Sequence, residues 1–411
     1  MTAGWDAEAT VPRRFDLRDL DALVQALHDA GHRVLGPVRR DDAIEIGEIA
    51  GTDDLPVGWG DEQAPGRYRL RARSDRARFG FATTASGWKA VLHPPHVALW
   101  RAERVNGRTV FVSAVPAAER QALVGVRPCE LAAMDKLGRV LTGAVVPDPV
   151  FSARRSAAFV VAVVCTEAAP TCFCPSMGTG PGLPDASRAA DLVVTEVVEG
   201  DGDPWYLVRA PTEAGAVVLD GLGAPATADD ERVADRRVAA NARHMERRLP
   251  TRPLAAALAE ARTDEARWRA LGERCLTCGN CTAVCPTCFC TTMVDGSSLD
   301  GSVAWRDRTW DSCFSLEFTH MVGGPTRVSP GARYRHWITH KLSSWFDQYG
   351  ESGCVGCGRC ITWCPVGIDI RDEAAAVVRA GSVNGSGGSS SPAWCPTCGA
   401  WSPATTRHPP W

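Results

Sequence analysis

The chain has 411 residues, 45% apolar and 23% charged, enough for roughly two or three domains with substantial cores. A formal net charge of −3 supplies no field that would draw it to nucleic acid or an anionic membrane. The longest wholly apolar run, 157–165, is nine residues and too short to cross a bilayer, and no apolar h-region follows the N-terminus, so a cytoplasmic location without membrane insertion is expected.

A mixed α/β domain is predicted over 1–265. Leu17, Leu20, Val24 and Leu27 recur at helical spacing after Asp16, a plausible N-cap, and Gly31 ends the pattern. Strand-like runs follow at 33–35, 43–49, 68–73 and 109–115, separated by Gly, Pro and Asp. The apolar run 122–126, the helical spacing over 130–141 and the apolar run 159–164 read as a βαβ unit. Two more strands, 192–198 and 205–210, precede charged helical stretches at 229–248 and 253–272. A cysteine-dense module is predicted over 266–380; in it, 332–349 reads as one amphipathic helix with Tyr334, Trp337, Ile338, Leu342, Trp345, Phe346 and Tyr349 on a single face. Residues 381–391 read as a Gly/Ser linker, and the Pro- and Trp-rich tail to 411 has no periodicity.

Seventeen cysteines, most of them in tight clusters, argue against a disulfide scaffold in a chain of this size and point to metal. Cys275-x2-Cys278-x2-Cys281-x3-Cys285-Pro286 and Cys354-x2-Cys357-x2-Cys360-x3-Cys364-Pro365 repeat the spacing of bacterial two-cluster ferredoxins. In that pattern three cysteines wrap one [4Fe–4S] cubane and the fourth, before Pro, reaches the other. The expected ligand sets are therefore Cys275, Cys278, Cys281 and Cys364 at one site, and Cys354, Cys357, Cys360 and Cys285 at the second. Zinc ribbons use paired Cys-x2-Cys units instead. Sixty-eight residues separate Cys285 from Cys354, so the module is not a compact ferredoxin, and its aromatic helix covers a cluster, forms a partner surface or is ordinary core.

The βαβ reading places Cys129 and Cys165 at the carboxyl ends of two strands, where parallel sheets open a crevice, and the next loop brings Cys172 and Cys174. These four form an expected third [4Fe–4S] site. Residues 170–174, Pro-Thr-Cys-Phe-Cys, recur at 286–290, which leaves Cys288, Cys290 and Cys313 as buried thiols beside a cluster or as exchanged ligands. Cys395-x2-Cys398 is half of a zinc site. The Gly178–Gly182 run reads as a tight turn at the third site, and the pairs His93/His96 and His336/His340 as a rigid turn and a surface pair. No catalytic residue can be named.

The segments 125–133, 165–181, 274–290 and 353–370 together resemble the iron–sulfur beta subunit of soluble NAD(P)-linked [NiFe]-hydrogenases, the sulfhydrogenase beta subunit. The same segments resemble the electron-transfer subunit of anaerobic sulfite reductase, a relative of that family. The resemblance covers about 120–375. It implies an α-helical ferredoxin-type module and a non-catalytic electron-transfer role between a flavin/NAD(P)-binding subunit and the small and large [NiFe]-hydrogenase subunits. It also implies that flavin and nickel belong to those partners. The alternative is the corresponding place in a sulfite reductase complex.

Overall fold

The computed structural model describes residues 11–384, except 116, 144, 184–188, 246 and 250 and the side chains of 251, 252 and 381–384. Cys395, Cys398 and the tail lie outside the described residues.

The N-terminal half supplies β1 (Arg13–Phe15), helix α1 (Leu17–Asp29), β2 (Arg33–Arg40), β3 (Ala43–Glu48), β4 (Trp59–Ala64), β5 (Arg67–Ala72), β6 (His96–Val105) and β7 (Arg108–Ser113). It continues with β8 (Gln121–Val126), helix α2 (Pro128–Leu141), β9 (Ala158–Val163), β10 (Leu192–Val197), β11 (Trp205–Arg209) and β12 (Ala224–Pro225). Asp16 caps α1 as expected: its carboxylate accepts from the N–H groups of Arg18 and Asp19, and Asp19 returns the bond to Asp16 N.

Eight strands form one sheet in the order β12-β1-β11-β10-β9-β8-β2-β3, with β2, β8, β9 and β10 parallel at its centre. The βαβ unit is present, with an additional helix, Pro149–Ala157, entering β9. The period-2 alternation divides β8 and β9 between two apolar layers. Ala122, Val124, Phe159 and Val161 pack with Leu20, Leu23 and Leu27 of α1, while Leu123, Val126, Val160 and Ala162 pack with Leu131, Met134 and Leu137 of α2. Coverage on both faces explains why these strands read as unbroken apolar runs.

A second sheet has the order β13-β14-β6-β7, where β13 (Thr291–Ser297) and β14 (Val303–Trp310) come from the insertion between the two cysteine motifs. This pairing joins residues on both sides of position 265. The sequence reading missed β1, β4, β6, β12, β13 and β14. The stretch expected as one helix over 229–248 is α3 (Ala228–His244). The stretch 253–272 is two helices, α4 (Thr251–Glu260) and α5 (Glu265–Arg274), because Asp264 breaks it and caps α5 through Arg267 N. The aromatic helix is α6 (Pro330–Thr339), followed by a π-helical turn at His340–Ser344 and a last turn at Trp345–Tyr349. The final helix, α7 (Ile370–Asn384), extends past 381, where the linker was expected to start.

Candidate functional site

Both ferredoxin-like motifs fold alike. Gly279 and Gly358, at φ +76° and +77°, precede the short helices Asn280–Ala283 and Arg359–Thr362. In each motif the second residue after the first cysteine donates its backbone N–H to that cysteine's sulfur: Thr277 to Cys275 at 3.4 Å and Gly356 to Cys354 at 3.3 Å. Both donors have positive φ, +52° for Thr277 and +67° for Gly356. Ile368 N likewise donates to Cys364 Sγ at 3.3 Å. Such N–H···S bonds stabilise negative charge on sulfur and so raise the potential of a cluster bound there.

The thiols gather in three places. Cys275, Cys278, Cys281 and Cys364, with Cys360 of the second motif, line a void that is otherwise walled largely by apolar groups, including Phe314, Tyr334 and Trp337. The aromatic helix serves both as wall and as core: Tyr334 and Trp337 line this void, while Ile338 and Leu342 pack with Leu254, Leu258 and Trp268. Cys278 is exposed, and Leu276 and Val366 beside it stand 62% and 44% exposed, so the void lies at the surface.

At the second site Cys285 faces Cys354, Cys357 and Cys360, crossing from its own motif to the other. The crossing is anchored by Thr287, two residues on, whose hydroxyl donates to Gly353 O at 2.7 Å. The Lys341 ammonium donates to that same hydroxyl oxygen at 2.9 Å.

At the third site Cys129, in the first turn of α2, meets Cys174, and Cys165 beyond β9 faces Cys172 and Cys174. All lie at the carboxyl ends of parallel strands, as the βαβ unit requires. The Gly178–Gly182 run does form the turn at this site: a Cβ on Gly180 would stand 3.2 Å from Cys174 Sγ. Thr179 Oγ1 donates to Val355 O at 2.6 Å, tying this loop to the second motif.

Burial raises the pKa of the thiols of Cys129, Cys165, Cys174, Cys275, Cys281, Cys357 and Cys360, and pushes Cys172 and Cys354 up to about 12. Thiols so held keep their protons until a cation balances the thiolates, so metal binding here releases protons. Among the described residues no three His, Cys, Asp or Glu side chains stand close enough to hold a single metal ion. The donor chemistry, four thiols per site with no imidazole or carboxylate, fits iron–sulfur clusters.

The third and second sites touch. Cys129, Cys172, Cys174 and Cys357 share one buried cluster, and Phe173 N donates to Gly356 O at 2.8 Å. A Cβ on Gly356 would meet Cys174 N at 2.6 Å, and one on Gly358 would meet the Thr171 carbonyl at 2.7 Å. The glycines therefore admit the third-site loop. Sequence reasoning missed the buried ion pair between Glu130 and Arg359, 2.7 Å apart, that clamps α2 to the second motif. It also missed Lys341 and Lys89.

Among the described residues neither histidine pair belongs to a group of three or more metal-ligating side chains. His93 is buried against Trp310, and burial lowers its pKa to about 4; His96 pairs with Asp307 at 3.0 Å. His336 and His340 are half-buried rather than on the surface, and their rings stack at 5.8 Å.

A family model described as a 4Fe-4S dicluster domain matches residues 274–368. The chain is 29% identical over 345 residues to sulfhydrogenase 2 subunit beta of Pyrococcus furiosus, an alignment covering 82% of this chain and 90% of the relative. No solved structure matches. These findings bear out the resemblance read from the sequence: the chain is an iron–sulfur relative of sulfhydrogenase beta subunits, with a mixed α/β structure and a C-terminal 4Fe–4S dicluster domain.

Proposed function

We propose that this chain is the electron relay of a cytoplasmic hydrogenase complex, set between a flavin/NAD(P)-binding subunit and the [NiFe]-hydrogenase small subunit, which in turn contacts the large one. The observation that carries the reading is the contiguity of the three thiol sets, third to second to first, ending at a surface void. Cys275, Cys278, Cys281 and Cys364 would hold one [4Fe–4S] cluster, Cys354, Cys357, Cys360 and Cys285 a second, and Cys129, Cys165, Cys172 and Cys174 a third, in the crossed ferredoxin-type arrangement. Bound clusters supply reversible one-electron chemistry without proton transfer at a substrate.

The chain's own residues set the conditions for that chemistry. The N–H groups of Thr277, Gly356 and Ile368 stabilise charge on three ligand sulfurs. The walls of Phe314, Tyr334 and Trp337 keep water from the inner side of the first site. Exposed Leu276 and Val366 flank that site and form the contact face through which one partner exchanges electrons. The third site, with three of its four cysteines buried, requires the intervening second site as its outlet to that face.

The test is cofactor analysis of the complex captured anaerobically with this chain from its native host. Nickel with flavin is the expected result. Sirohaem without nickel would replace the hydrogenase with a sulfite reductase as terminal partner.

A further inference from the structure

Three thiols among the described residues remain outside these ligand sets; Cys288 and Cys290 line one pocket, and Cys290 adjoins Cys313. Cys290 and Cys313 are in hydrogen-bonding contact, and Cys288 is in contact with Cys285. Asp311 N donates to Cys290 O at 2.9 Å, bringing the 311–313 turn beside the Cys-Phe-Cys segment. Ser312 and Thr282 bond through their hydroxyls at 2.8 Å, fixing that turn to the first motif. A pocket lined by Lys89, Cys278, Cys288, Cys290, Trp310 and Asp311 among others opens at this point.

Two independent features point to an anionic centre. The first is the repeated pentapeptide. In 170–174 the two cysteines belong to the third site while Phe173 packs away from them into the helical core. The same five residues at 286–290 separate Phe289, which packs with the α/β core, from Cys290, which packs with Cys313.

The second is the distribution of lysine. The chain has only three, and two of them are buried here, Lys89 at 6% and Lys341 at 4% exposure. Lys89 Nζ donates to the carbonyls of Thr282 and Ala283 and sits 3.8 Å from the Trp310 ring centre; Lys341 Nζ donates to Thr287 Oγ1. Among the described residues neither has a carboxylate partner, whereas the third, Lys136, pairs with Glu351. A buried ammonium needs a counter-charge, and the groups that face these two are cysteine sulfurs. The second site accounts for one such charge beside Lys341; Lys89 shares its pocket with Cys288 and Cys290.

We propose that Cys288, Cys290 and Cys313 hold a fourth iron–sulfur cluster, a three-cysteine cubane whose remaining corner opens onto the pocket beside Lys89 and takes a small exchangeable ligand such as water or a thiol. Cys281 of the first site and Cys285 of the second both adjoin these thiols, so the centre branches from the relay. The inference rests on reading the chain as an iron–sulfur relay.

The test is iron and acid-labile sulfide per full-length chain, reconstituted anaerobically, for the wild type, Cys290→Ala, Cys313→Ala and Cys278→Ala. The wild type should bind about sixteen irons and either of the first two variants about twelve. Equal iron in the wild type and both variants overturns the fourth centre. Cys278→Ala reads the first site separately: retention of all its iron counts against the relay and leaves the Cys313 comparison standing. A second readout needs only the wild type: excess 2-mercaptoethanol should shift one reduced-cluster EPR signal, and an unchanged spectrum overturns the open corner.

Discussion

Glu130 and Arg359 form an ion pair at 2.7 Å although 229 positions separate them, and both are buried. Glu130 also accepts from Trp88 N, and Arg359 Nε donates to Thr84 O at 2.6 Å. Cys129 and Cys357 are the immediate neighbours of this pair, so one contact fixes the spacing of the third and second sites.

Arg359→Met should leave Glu130 as an uncompensated buried charge and destabilise the protein by about 3–5 kcal/mol. Glu130→Leu combined with Arg359→Met should recover much of that loss. Denaturant unfolding of the two variants against the wild type checks both; equal stability of the single and double variants would refute the coupling.

Crossed ligation makes a directional prediction. Cys364→Ala should lose the iron held by Cys275, Cys278 and Cys281 and leave the Cys354 site intact, as read by EPR of the reduced variant. Loss confined to the Cys354 site would show that each motif serves itself.

Gly356→Ala tests the contact between the second and third sites. The added Cβ would fall 2.6 Å from Cys174 N, at a residue with φ +67°. The strain should cost about 1–3 kcal/mol and lower iron occupancy at the third site. Unchanged melting and iron content would show that the loops do not press on each other.

How much of the structure is legible in the sequence follows from the range of the interactions. The two cysteine motifs and the βαβ unit are local patterns, ligand spacing in one and apolar runs in the other, and both stand out. The β6–β14 ladder is not legible because its strands are mostly only half-buried, without an apolar alternation, and pair across about two hundred residues, as in Trp305 with Arg101. Glu130, Arg359, Lys89 and Lys341 carry no signal for the same reason: their partners are fixed only by the tertiary fold. Asp264, by contrast, does carry a capping signal that could have divided the stretch 253–272.

Acid should destabilise the fold partly through His93. Burial lowers its pKa to about 4 from the ordinary 6.5, so the unfolded chain binds the proton first as pH falls. Its contribution is fully present above about pH 6.5 and is progressively lost between there and about pH 4. Neither ring nitrogen has a hydrogen-bond partner, so His93→Phe keeps the stacking on Trp310 and removes the titration. Its unfolding free energy should fall less steeply than the wild type's across that window; parallel profiles would exclude His93 as a contributor.

The most direct test of the central claim is anaerobic reduction of the purified full-length chain, followed by EPR with iron and zinc determined on the same sample. The relay predicts at least about twelve irons per chain and paramagnetic signals from reduced cubanes that vanish on reoxidation. Zinc in place of iron, with no signal on reduction, would contradict it and make the thiol sites structural.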